Sequence, residues 1–237
     1  MIFCCFIPTT CVQYLIIYII YYNDTYQFSA SRSDRDKAKS LIVDLSKYSP
    51  TEEPASAYYT ESIDIANESG FSLSGNWRLI YTDAPDITSL DAGPFSTAKL
   101  GRIGQECNPP SIKNVIEWER PSWAASLPFS GKESSRVLQK VCTEGTATPD
   151  NPKAVDLKIV GLELEGISGD NDNASDGGFS LLRGPASLLE NNPVSLRGPL
   201  AAPFGKFEIL YLDNDMRITK TYQGFYTVNI RENDEWF

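Results

Sequence analysis

Two groups of carboxylates in this 237-residue chain are spaced as metal-dependent chemistry would require. Asp213 and Asp215 stand two apart, an arrangement that can hold a divalent cation in a transferase. Asp170, Asp172 and Asp176 lie in Gly-Asp-Asn-Asp-Asn-Ala-Ser-Asp-Gly-Gly, which outwardly resembles a calcium loop. Neither survives a residue-by-residue check. No nucleotide-binding loop accompanies Asp213-Asn214-Asp215, and aspartate and asparagine bond their own backbone in tight turns. In the second group Ser175 stands where a calcium loop needs glycine, and Leu181 where it needs a bidentate glutamate. Histidine is absent, which removes Ser-His and Cys-His catalysis and the commonest metal ligand. Of five cysteines, Cys4, Cys5 and Cys11 lie in an N-terminal apolar stretch. Only Cys107 and Cys142 lie in the body, without a CxxC, and they read as small buried apolar residues. The chain calls for no metal, no cofactor and no catalytic residue.

The elements that would carry a binding site instead are strands. A 41% hydrophobic chain of this length supports one domain with a core. The net charge of −10 argues against nucleic acid and against electrostatic docking on anionic lipid. Arg35 to Tyr48 reads as a short helix, with Ala38, Leu41, Ile42 and Leu45 forming one apolar stripe. A second short helix is expected around Ile63–Ala66. After Gly70 the periodicity changes to two. Strands are expected over Gly75–Thr82, Lys99–Cys107, Ser111–Trp118, Arg136–Thr143, Val155–Leu164, Lys206–Leu212, Met216–Thr221 and Gly224–Arg231. Asp83–Phe95, Gly166–Gly178 and Leu182–Pro203 read as loops, the last with a short helix at Ala186–Leu189. The fold class is mainly β: a lipocalin-like antiparallel β-barrel of about eight strands with one or two short N-terminal helices.

Gly75-Asn76-Trp77 opens the first strand as GxW does in lipocalins, where the tryptophan closes the barrel floor beneath a late arginine. Gly75, Trp77, Arg217 and Arg231 are therefore the expected barrel-closing set, with Arg217 and Arg231 positioned for cation–π contact. Alternation along Gly75–Thr82 turns Trp77, Leu79 and Tyr81 to one face. The same logic places Ile103, Val115, Ile218 and Val228 among the wall residues. Such an interior either fills with side chains or holds a slender apolar ligand.

Met1 to Tyr22 carries no charge, and Val12–Tyr22 is nearly continuously apolar. A serine-rich, mildly basic stretch follows, with Ser29, Ser31, Arg32, Ser33, Arg35, Lys37 and Lys39. A targeting segment and a membrane anchor both fit. Borderline length, and Pro8 and Gln13 in the first half, favour targeting. The division expected is a leader over 1–40 and one domain over 41–237.

The motif order resembles the plastid lipid-associated proteins, or fibrillins. The match rests on Leu-Ser-Gly-Asn-Trp-Arg-Leu-Ile-Tyr-Thr from Leu73, Gly-Arg-Ile-Gly-Gln-Glu from Gly101 and Ile-Lys-Asn-Val-Ile-Glu-Trp from Ile112. It closes with Tyr-Leu-Asp-Asn-Asp-Met-Arg-Ile-Thr-Lys from Tyr211 and Gly-Phe-Tyr-Thr-Val from Gly224. It covers about Lys37 to Arg231. It departs at Thr221-Tyr222, where the family usually has Gly-Asp, and is poor from Glu144 to Pro203. The resemblance implies a non-enzymatic plastid protein of thylakoids or plastoglobules, with peripheral membrane association. Its partner would be a lipid surface that it coats, or one hydrophobic molecule that it carries: a prenylquinone, carotenoid or fatty acid. A lipid-modifying enzyme is the third and weakest reading.

Overall fold

A computed structural model describes residues 32–58, 72–90, 98–119, 136–148, 150–167, 189, 192–197 and 203–232. The expected helix at Ile63–Ala66, the aspartate loop from Asp170 to Asp176 and positions 186–188 lie outside the described residues. Helix α1 spans Arg32–Ser46, a 3-10 turn spans Ser56–Tyr58, and a four-residue helix α2 spans Pro85–Thr88 inside the expected Asp83–Phe95 loop. Among the described residues no helix is long and apolar enough to cross a membrane.

The strands are β1 (Gly75–Thr82), β2 (Lys99–Asn108), β3 (Ser111–Glu119), β4 (Arg136–Thr148), β5 (Asn151–Ile167), β6 (Val194–Arg197), β7 (Pro203–Leu212), β8 (Met216–Thr221) and β9 (Tyr226–Glu232). Each is antiparallel to its neighbours. The order β4-β3-β2-β1-β9-β8-β7-β5, with β4 also paired to β5, closes an eight-stranded barrel. Short turns join β2 to β3, β4 to β5, β7 to β8 and β8 to β9. At the β7–β8 turn the Asp213 carboxylate accepts the backbone N–H groups of Asp215 and Met216, at 2.8 and 2.6 Å, so this aspartate triplet builds a turn. Strand β6 comes from the stretch expected to be irregular. It pairs with the second half of β5, Gly161–Leu164, while β7 pairs with the first half, Ala154–Lys158.

Residues directly opposed in an antiparallel pair share a face, and this fixes inside and outside. Trp77 opposes Gln105, which opposes Asn114, then Val141, then Leu162. In the other direction Leu79 opposes Asn229, Asn229 opposes Arg217, and Arg217 opposes Leu212. The core around Trp77 draws on β2, β3, β4, β5 and β7, across the barrel from one another: Cys107, Ile112, Ala147, Val155, Phe207, Ile209 and Leu212. This face is therefore the interior. A second row, Tyr81–Val228–Ile218–Tyr211, crosses only β1, β9, β8 and β7. It is covered by Ala38, Ile42 and Leu45 of α1, so it is the outer face of that quarter of the barrel.

Bulges create this division. The β1 register shifts between Leu79 and Tyr81, and the β7 register between Ile209 and Tyr211. One extra residue reverses the side on which every later side chain emerges. Leu79 thus points in and Tyr81 points out, toward the helix.

Candidate functional site

The sealed end of the barrel is built on Trp77, which is fully buried and donates its indole N–H to the Leu73 carbonyl at 2.9 Å. Two guanidinium groups lie over its ring, Arg231 at 4.1 Å and Arg217 at 4.9 Å from the centroid. Arg231 also donates to the carbonyls of Ser72, Ser74 and Asn214, strapping the segment before β1 and the β7–β8 turn to the tryptophan. Gly75 makes this approach possible. Its φ of +126° suits only glycine, and a Cβ there would sit 2.6 Å from Arg231 Nη1. Burial, and then the charge of Arg217, hold the Arg231 guanidinium below its ordinary pKa.

Arg217 is the more deeply placed cation, 1% exposed. It donates from Nη1 to the Cys107 sulfur at 3.4 Å and from Nη2 to Gln105 Oε1, while its Nε–H has no partner among the described residues. Gln105 in turn donates to Asn114 Oδ1 at 2.6 Å. The Tyr58 hydroxyl, buried beside the Cys107 sulfur, likewise has no oxygen or nitrogen partner among the described residues. Burial, reinforced by the neighbouring thiol, pushes the Tyr58 pKa well up, so this phenol is a neutral hydrogen-bond donor. Buried Thr219 and Asn229 continue the polar belt, with the Thr219 and Thr227 hydroxyls 2.5 Å apart.

The opposite end is apolar and only partly closed. Leu79, Leu100 and Ile103 are buried there, and half-buried Ile87, Leu90, Ile116 and Trp118 pack around them. Val141 and Leu162 also point inward and stay half-exposed. Trp118 is oriented by a 3.0 Å hydrogen bond to Gln139.

A match to the PAP_fibrillin family model runs over residues 20–229, most of the chain. The chain belongs to the PAP_fibrillin family, the plastid lipid-associated proteins. It is thus a plastid lipid-associated protein in the general sense, from a family that is structural and lipid-associated and is not known as enzymatic. No curated protein and no solved structure matches it.

Within this PAP_fibrillin barrel the residues expected to line a cavity separate into three places. Trp77, Leu79 and Ile103 share the interior. Tyr81, Ile218 and Val228 gather under helix α1 on the outer face, where burial, with Asp83 adding to it, pushes the Tyr81 phenol up to about 12. Val115 opposes Gly104 and Lys140 on the outer face of β2–β4 and is buried with Leu138. Gly75, Trp77, Arg217 and Arg231 meet at one point. Sequence reasoning did not single out Tyr58, Gln105, Asn114, Trp118, Thr219 or Asn229. Gln105 and Asn114 were within reach, since the Asn108-Pro109-Pro110 turn sets β2 against β3 in a register that places them opposite one another on the face of Trp77.

Proposed function

We propose that this protein carries a single hydrophobic molecule inside its barrel, in the plastid, without chemistry of its own. The observation that supports the reading is the contrast between the two ends of the interior. One end is sealed by Trp77, Arg217 and Arg231; at the other, inward-facing Ile116, Trp118, Val141 and Leu162 keep solvent access inside a closed sheet. An apolar surface that is enclosed yet reachable is the usual form of a small-molecule site. The ligand classes that fit are prenylquinones, carotenoids and fatty acids. A leader ending ahead of α1 is part of the proposal. The helix runs from Arg32 to Ser46 across residue 40, and its Ala38 is packed against the barrel.

A second reading, contact with a plastoglobule or thylakoid surface, is favoured by β6. Its Val194 and Leu196 are exposed apolar side chains on an edge strand. The test separates the two. The protein is isolated with its native lipid, the ligand is identified by native mass spectrometry, and uptake is measured for Ile103→Trp and Val194→Asp/Leu196→Asp. The carrier reading expects Ile103→Trp to lose uptake and the β6 variant to keep it. Uptake unchanged in Ile103→Trp, with lipid association lost in the β6 variant, would assign the function to the exposed β6 edge rather than to the enclosed interior.

A further inference from the structure

The barrel interior is unlike the rest of this acidic protein. Alternation sends the carboxylates of the paired strand residues outward: Glu106, Glu117, Glu119, Glu144, Asp156, Glu163, Glu165, Glu208 and Glu232 all lie opposite residues of the outer rows. Many meet cations there. Glu117 binds Arg102 and Arg136, Glu106 and Glu165 bind Lys140, and Glu163 binds Lys113. The inward rows of the paired residues carry two charged side chains, Arg217 and Arg231, and both are cations.

Arg231 is answered by three backbone carbonyls at the sealed end. Arg217 is not answered in kind. Among the described residues it meets one thiol, one amide oxygen and one aromatic ring, and no carboxylate. A buried charge held only by neutral partners is costly unless something neutralises it. Among the described residues two buried donors beside it, its own Nε–H and the Tyr58 hydroxyl, have no oxygen or nitrogen acceptor, and the weakly accepting Cys107 sulfur is what lies beside the phenol. Native structures rarely leave such groups unpaired without a functional reason.

We infer that Arg217 and Tyr58 form the head-group seat of the barrel, and that the ligand is a single-chain amphiphile with an anionic head, a carboxylate or a phosphate monoester. The head would accept hydrogen bonds from Arg217 Nε and the Tyr58 hydroxyl. Gln105, Asn114 and Thr219 would complete a polar collar, and the chain would run past Leu79, Ile103 and Ile116 to the half-open end. A long-chain acid matches this sequence of a cation at the floor, neutral polar groups above it and apolar residues at the mouth. A hydrocarbon carotenoid would leave both donors empty, and a quinone carbonyl could accept from them but would leave the guanidinium charge unneutralised. The inference rests on the carrier reading and selects within it.

The experiment uses the full chain and three probes of one chain length: hexadecanoic acid, its methyl ester and hexadecyl phosphate. Binding is measured by displacement of a fluorescent polyene fatty acid and, independently, by isothermal titration calorimetry. The acid or the phosphate should bind at least about tenfold more tightly than the ester, the worth of one charge-assisted hydrogen bond. The better of the two identifies the head. Arg217→Met should bring the anionic probes down to the level of the ester and leave the ester unchanged. Tyr58→Phe should weaken the better-bound anionic probe by several-fold without changing the ester, and serves if Arg217→Met does not fold. Ester and acid binding equally in the native protein would overturn the head-group assignment while leaving the carrier reading intact. No binding of any probe, with a carotenoid or quinone bound in the same assay, would also overturn it. No binding of any apolar molecule would overturn both.

Discussion

Gly75→Ala separates the barrel-closing contact from ordinary core packing. An L-residue forced to φ +126° costs about 1–3 kcal/mol in backbone strain. The new methyl would also sit 2.6 Å from Arg231 Nη1, so the guanidinium must leave its place over Trp77 and give up its bonds to the Ser72 and Ser74 carbonyls. Arg231 is half-buried and water replaces part of what it loses, so this adds about 1–2 kcal/mol. The expected total is about 2–5 kcal/mol, a fall of about 1–2 M in the urea midpoint. The assay is equilibrium unfolding followed by tryptophan fluorescence, run as a cycle with Arg231→Gln. In the Arg231→Gln background the alanine should cost only the strain, giving a coupling of about 1–2 kcal/mol. A single-mutant cost below about 1 kcal/mol, or two changes that add to within about 0.5 kcal/mol, would refute the account of Gly75 as the space for Arg231.

The outer-face Glu117 is 1% exposed. Burial alone would raise its pKa, but hydrogen bonds from Arg102, through side chain and backbone, and from Arg136 outweigh this and hold the carboxyl below its ordinary value of 4.5. Its folded pKa is depressed, so its contribution to stability is complete above the unfolded value and is lost as pH falls through the folded one. Glu117→Gln should lower stability at pH 7 by about 1–3 kcal/mol and flatten the fall in melting temperature below about pH 4.5; a parallel acid limb would count against it. Ile42→Asp should uncover the Tyr81–Val228–Ile218–Tyr211 row, cost about 3 kcal/mol or more, and bring a rise in binding of a hydrophobic dye; an unchanged melting temperature would show that α1 is dispensable to the core. Cys107 and Cys142 are free and buried, and burial raises the Cys142 thiol. Peptide mapping after alkylation should find both unmodified in the native protein and both modified in urea; rapid native labelling of either would contradict their placement.

Where one face was polar, the sequence was legible. Gly75–Thr82, with Asn76 and Arg78 between its apolar residues, has the bounds and the inward Trp77 and Leu79 that alternation predicts. Met216–Thr219 was not legible by that rule, because all four residues are buried. The helix lies over Met216 and Ile218, so the apolar residues point out and Arg217 and Thr219 point in. The bulges are equally silent in sequence. Ile80 and Leu210 are ordinary β-formers, yet one extra residue at each site carries Tyr81 and Tyr211 to the far side of the sheet. Val115 sits in a strand whose two faces both mix apolar and polar residues, which leaves its direction to the register alone. Strand β6 is short and wholly exposed, and it takes its conformation from the free edge of β5 rather than from a pattern of its own.

The pairing of β1 with β9 sets an order of events for a chain emerging from a ribosome. Arg78 and Glu232, which form an ion pair across that seam, are 154 residues apart. At ordinary rates of synthesis, the first strand waits roughly 10–30 s for its last partner. Until then Gly75–Thr82 has one unpaired edge, and Trp77 lacks both arginines. Such an edge is a template for another copy of the same chain. A truncation that removes only β9 should therefore give aggregates rather than a smaller soluble barrel. Any holding factor that accompanies this protein would have its longest task at the N-terminal strand, the one that is made first and finished last.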